Sequence, residues 1–154
     1  MNIKYLLAQA YWKIVKPNTL GARLLLINDG KVLLIKQNNY NRYCLPGGRV
    51  EKRETFEGAV LREVKEELDL DIQNLNLFGT YQNNYEGKSD TIVVFISTDK
   101  VKIENLKLDP NEVKEANFFD LNNIPDDIFI GTRKRIEEYI MNKYPIATIW
   151  CDPL

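Results

Sequence analysis

The sequence predicts a single layered domain of the α/β or α+β type, with helices before, within and after its strands. Three observations support this. Strand-like runs alternate along the chain with helix-like stretches, so sheet and helices must share one core. At 154 residues and 44% hydrophobic content the chain can bury a substantial core, which excludes disordered and low-complexity classes. The formal net charge of −1 leaves no basic excess to draw it to nucleic acid or an anionic membrane.

The elements follow in order. Ile3, Leu6, Leu7, Ala10 and Ile14 fall at helical spacing, so residues 1–17 read as an amphipathic helix ending near Pro17. The apolar run before Ala8-Gln9-Ala10 is too short for a signal peptide, and no run reaches membrane-spanning length; a cytoplasmic protein is expected. Residues 21–28 and 31–36 flank Asp29-Gly30 and read as a β-hairpin. A short strand over 43–45 stops at Pro46-Gly47-Gly48. Residues 55–68 read as a helix with Thr55 as its N-cap. Residues 78–84 and 91–98 read as paired strands around a turn at Glu86-Gly87-Lys88. A further strand spans 116–119, and a second helix spans 132–142. We expect one domain over 1–154, with a core at 18–143 and a tail at 144–154.

Composition narrows the chemistry. The chain has no histidine, which excludes Ser-His-Asp and Cys-His catalysis and every His-ligated metal. Its two cysteines, Cys44 and Cys151, are in no metal-binding spacing and read as reduced thiols. Carboxylates, by contrast, are concentrated in one helix. Glu63 and Glu67 lie four residues apart on one face, Glu66 flanks them, and the small Ala59 shares that face. Like charges at this spacing repel unless a cation lies between them. An all-oxygen set suits a hard divalent ion, above all Mg²⁺, which keeps water and phosphate oxygens in its shell. The glycine pair just before the helix lets backbone approach a ligand, and the Gly47 carbonyl is a candidate further ligand.

From Gly48 onward the residues resemble the Nudix box. Gly48, Glu54, Arg62, Glu63, Val64, Glu66, Glu67 and Leu70 occupy its specified positions, and Asp69 stands where the family has glycine. A match this complete arises by chance on the order of a few times per million chains, so it is specific. Residues 43–48, YCLPGG, and 118–125, FFDLNNIP, resemble two flanking family segments, and the resemblance covers residues 18–143.

The resemblance implies a Nudix-type α/β/α sandwich with a mixed sheet. It implies hydrolysis, with Mg²⁺ or Mn²⁺, of a pyrophosphate bond in a nucleoside diphosphate linked to another group. By position it makes Glu63, Glu66 and Glu67 metal ligands with Gly47 as helper, and makes Arg62 and Glu54 braces between loop and helix. Glu63 or Glu66 is the first choice of general base. Glu112 and Glu115 are the loop alternatives, and Glu115 is also a candidate metal ligand. Asp69 tolerates the left-handed conformation that glycine would adopt there. Around this site Arg23, Lys36, Arg49 and Arg53 are candidates to hold phosphates, and Tyr81 and Tyr85 to stack on a base. The expected partner is a small nucleotide derivative, with no DNA and no membrane. The N-terminal helix and the tail with Trp150 are candidate surfaces for a homodimer. Two other readings compete: an RNA 5′-end pyrophosphohydrolase, which the near-neutral charge disfavours, and a non-catalytic nucleotide-sensing module.

Overall fold

The structure, a computed structural model, describes residues 18–83 and 89–150. The expected N-terminal helix, Tyr85, the turn at Glu86-Gly87-Lys88 and Cys151 lie outside the described residues. Six strands form one mixed sheet: β1 (Asn18–Asn28), β2 (Lys31–Gln37), β3 (Asn76–Asn83), β4 (Ser89–Ser97), β5 (Val113–Asp120) and β6 (Ile146–Ile149). Their order across the sheet is β5-β2-β1-β4-β3-β6. β1 runs parallel to β4, and β6 parallel to β3; the other neighbours are antiparallel. Two α-helices accompany them, α1 (Phe56–Leu68) and α2 (Ile130–Ile140).

The unbroken apolar runs of β1 and β2 have a direct cause. Successive strand residues face opposite sides of a sheet, and here both sides are covered. Leu24, Leu26, Leu33 and Ile35 pack with Ala59, Val60, Val64 and Leu68 of α1. Leu25, Ile27, Val32 and Leu34 pack on the other side with Phe78, Tyr81 and Ile136 of α2. Each such leucine, fully buried, contributes about 2 kcal/mol of hydrophobic stabilisation. The α/β sandwich with a mixed sheet is therefore as expected. Among the described residues, no helix is long and apolar enough to cross a membrane.

One feature of the sheet creates the site. β1 and β2 pair only beside their turn, at Ile27–Val32 and Asn28–Lys31. Beyond it they part, and the segment 44–50 fills the gap. Cys44 exchanges both backbone hydrogen bonds with Ile35 of β2, at 2.9 and 3.0 Å. On the other side Leu24 and Ala22 of β1 donate to the Pro46 and Gly48 carbonyls, each at 2.9 Å. The approach is close enough to require glycine: a Cβ on Gly47 would stand 2.4 Å from the Ala22 carbonyl oxygen, and Gly47 has φ +119°.

The tail differs from expectation. Residues 146–149 form the sixth strand, and Trp150 is 4% exposed within its own chain's core. Four edge residues beside a proline carry too little pattern to predict this strand.

Gly47→Ala should lower unfolding stability by roughly 2 kcal/mol or more, since both conformation and space oppose it. Gly30→Ala in the hairpin turn, where φ is +75° but the surroundings are open, should cost about 1 kcal/mol. Urea unfolding of the two variants checks the difference.

Candidate active site

α1 starts where its sequence directs. Thr55 is the N-cap, its hydroxyl oxygen accepting from the Gly58 N–H at 3.0 Å. At the other end Asp69 sits in the left-handed conformation, φ 53° and ψ 33°, and its N–H donates to the Lys65 carbonyl. The helix also keeps the charge of Asp69 matched, with Lys65 at 2.7 Å and Lys107 at 2.9 Å. These ammonium groups hold the Asp69 carboxyl down, at about 2. The glycine of the family pattern is thus replaced without loss of the helix end.

The buried face of α1 carries Glu67, which is completely inaccessible to solvent. Its carboxylate accepts from the Gly47 N–H at 2.8 Å and from Gln37 Nε2 at 2.9 Å. Burial pushes its pKa up to about 7, against the opposing effect of these two hydrogen bonds and of the nearby Arg23. One turn earlier, Glu63 lies against Gly48, where an added Cβ would stand 2.2 Å from its carboxyl. The absent side chain is the space that Glu63 occupies.

Arg62 braces this arrangement. Its guanidinium donates to both oxygens of Glu54 (2.9 and 3.1 Å), to Glu63 (2.8 Å), to Glu66 (2.9 Å) and to the Arg49 carbonyl (3.0 Å). With so many acceptors its pKa is raised further, the Glu54 hydrogen bond contributing most. Arg62 therefore contacts the loop and the carboxylates together, the position of a brace.

Glu63, Glu67 and Glu112 present carboxylate oxygens that all lie within 4.8 Å of one another. Glu112 arrives from the loop before β5. That loop docks on the C-terminal end of α1, where Lys107 and Asp109 N–H groups donate to the Leu68 and Glu67 carbonyls at 3.0 and 3.2 Å. These are helix-end acceptors that lack partners within the helix. Three hard oxygen donors so close together, one of them seated in the space that Gly48 leaves, fit a divalent cation.

The structure places the remaining candidates as follows. Glu115 is not part of the group. It lies on β5 opposite Lys36 and accepts hydrogen bonds from the Tyr43 hydroxyl and from Asn117. Glu115 pairs with Lys36 within β5, whereas Glu112 lies in the loop before that strand, and it is Glu112 whose carboxylate reaches α1. Glu66 stands outside the group as well, half exposed and held by Arg62. Gly47 donates its N–H to Glu67; its carbonyl oxygen, the candidate metal ligand, takes no part in this bond. Tyr81 is fully buried and its hydroxyl donates to Glu138, so it presents no ring face to a ligand. Lys36 is bound to Asp127 at 2.7 Å and lies over the Tyr43 ring, turned from the carboxylates. Arg49 is exposed and supplies its carbonyl to Arg62. Arg23 alone of the basic candidates and Tyr81 lines the adjoining cavity of about 240 Å³, together with Gln37, Tyr40, Phe129 and Trp150. The sequence reading missed Gln37, a lone amide with no motif around it.

Fold and site define a class: an α/β sandwich that presents a carboxylate cluster, suited to a divalent cation, beside a pocket for a small ligand. Residues 17–139 match the NUDIX domain family. The chain belongs to the Nudix family of hydrolases. It is 40% identical over 116 residues to the ADP-ribose pyrophosphatase of Methanocaldococcus jannaschii, across 73% of this chain and 67% of that protein. It is 33% identical over 110 residues to the NAD-capped RNA hydrolase NudC of Vibrio atlanticus, across 70% of this chain but only 39% of that protein. The MutT protein from Methanosarcina mazei Go1 shares the fold with a TM-score of 0.73 at 23% identity, over 84% of this chain and 98% of that one.

The raised pKa of Glu67 fixes a pH dependence. The fold favours its protonated form, so this contribution to stability is fully present below about 4.5 and lost as pH rises through about 7. Melting of the metal-free protein should show a loss of roughly 3 kcal/mol over that window. Glu67→Gln should remove the dependence.

Proposed function

We propose that the chain hydrolyses the pyrophosphate bond of a nucleoside diphosphate linked to another group, with ADP-ribose as the first substrate to test. The observation that carries this reading is the convergence of Glu63, Glu67 and Glu112 beside a cavity lined by Arg23 and aromatic rings. The name of the M. jannaschii relative supports the choice of ADP-ribose.

Glu63, Glu67 and Glu112 would hold the cation, Mg²⁺ or Mn²⁺, with Glu66 beside them on the same helix. The ion supplies neutralisation of diphosphate charge and a lowered pKa for the attacking water. The protein's own groups do the rest. Arg62 fixes Glu63 and Glu66 in direction. Arg23 sets a positive charge in the cavity wall for the anionic substrate. Attack of water on one phosphorus breaks the bridging P–O bond, and the water's proton passes to a carboxylate. Glu63 and Glu66 each already accept a hydrogen bond from Arg62, whereas Glu112 is exposed on its loop. The Glu112 oxygen not turned to the cation is therefore our choice of base.

Incubation with ADP-ribose and Mg²⁺, followed by phosphorus NMR, should give AMP and ribose 5-phosphate. Glu67→Gln and Glu112→Gln should each lower kcat by roughly 100-fold or more, while Glu115→Gln should stay within about threefold of the parent. Loss of activity in the Glu115 variant alone would reverse the assignment of the two loop glutamates. Cleavage of capped RNA without cleavage of ADP-ribose would favour the RNA-end reading, and binding without turnover the sensing module.

A further inference from the structure

The cavity beside the carboxylate helix holds a charge that the proposed reaction does not use. Asp90 of β4 lines it, as do Ile92 two residues on and Asn83 of β3. Alternate residues of a strand share a face, so Asp90 and Ile92 look the same way. β4 pairs in parallel with β1 and antiparallel with β3, which sets Thr19 and Asn83 directly on either side of Asp90. The Thr19 hydroxyl donates to Asp90 Oδ1, and the Asn83 amide donates to Oδ2 at 3.3 Å. Neighbours on two strands thus hold the carboxylate from both sides.

A carboxylate offers about four acceptor sites, and these two bonds occupy one on each oxygen. Both donors are neutral, so they leave the charge of Asp90 in place. Arg23 stands on the same face of β1, four residues beyond Thr19, or about 13 Å along the strand. It lies on the Glu67 side of the cavity, since its charge acts on that carboxylate. One cavity therefore carries opposite charges set apart from each other. A phosphate is drawn to Arg23 and repelled by Asp90. What Asp90 can accept is a neutral hydroxyl or amino donor. Bracing three strands does not by itself call for a charge, because Asn or Thr could bond the same neighbours.

We propose that Asp90 is a specificity-determining residue: it accepts hydrogen bonds from neutral O–H or N–H donors of the nucleoside part of the substrate, and so turns the phosphates toward Arg23 and the catalytic carboxylates. The inference rests on the nucleotide reading above and deepens it. A site built to accept such a donor discriminates strongly against an analogue that lacks it, because the acceptor is then left without a partner.

The test uses the full chain without metal, and titration calorimetry reads binding. AMP should bind the parent, and Asp90→Asn, which keeps the size of the side chain, should weaken it roughly tenfold or more. Pyrophosphate, which lacks a nucleoside, should bind both proteins alike or the variant more tightly. Two analogues locate the donor: 2′,3′-dideoxy-AMP lacks the ribose diol, and purine riboside 5′-monophosphate lacks the amino group. One of them should bind the parent roughly tenfold more weakly than AMP and be insensitive to the substitution. The parent arm needs no variant, so a folding defect in Asp90→Asn leaves the proposal exposed to refutation. No binding of millimolar AMP to the parent overturns it. So do equal binding of AMP and both analogues, and equal weakening of AMP and pyrophosphate by the substitution. In kinetics with Mg²⁺, Asp90→Asn should raise KM for ADP-ribose roughly tenfold with kcat nearly unchanged, the signature of lost binding shared by ground and transition states. Unchanged KM and AMP affinity in the folded variant would sink the inference and leave the hydrolase reading intact. Selective loss of AMP binding in a protein that does not cleave ADP-ribose would do the reverse.

Discussion

The buried carboxylate of Glu67 is the point on which the rest of the structure depends. It ties three separate parts of the chain together: α1 carries it, the Gly47 N–H comes from the inserted segment, and the Gln37 amide comes from the end of β2. An ionised carboxylate without solvent is costly unless hydrogen-bonded, and these two donors meet only part of that cost. The remainder appears as a pKa pushed up to about 7. A cation would relieve it, so the same residue couples the fold to the ligand. This is why the inserted segment must lie so close to β1, and why a glycine is required at its nearest approach.

A second set of contacts keeps the carboxylates apart and directed. Glu54, Glu63 and Glu66 all bind one guanidinium, which also holds the Arg49 carbonyl of the preceding loop. Arginine suits this because its donors lie in a fixed plane and its charge does not titrate away. At the far end of α1, Asp69 and Lys107 join the helix to the loop that brings Glu112. That ion pair is largely exposed and contributes little by itself. The backbone hydrogen bonds from Lys107 and Asp109 to the helix-end carbonyls are the firmer link. Helix termination and site assembly thus use the same groups.

The two ends of the cavity's chemistry have different supports. The acidic side stands on α1 and its loop, all within the family match. The aromatic side draws on Tyr40, Phe129 and Trp150, the last held by a buried ion pair on α2 and by the edge strand β6.

The sequence by itself determined the local elements and the reactive helix. The hairpin was legible because Asp29-Gly30 takes positive φ at both positions, and α1 because Thr55 caps it and its apolar residues repeat at helical spacing. Glu63 and Glu67 could be paired from spacing alone, since four residues make about one helical turn. Arg62 could be read as a brace from the resemblance. Tertiary structure alone decided what comes from a distance. It placed Glu112 rather than Glu115 beside the helix, because a loop docked on the helix end carries the one and β5 the other. It buried Tyr81 and tied Lys36 to Asp127, because long-range packing consumed groups that composition left available. It added Gln37, β6 and Trp150, whose roles exist only once strands far apart in sequence lie side by side. Local patterns fix elements through short-range sterics and hydrogen bonding. A site needs the register between elements, and that is a property of the closed core.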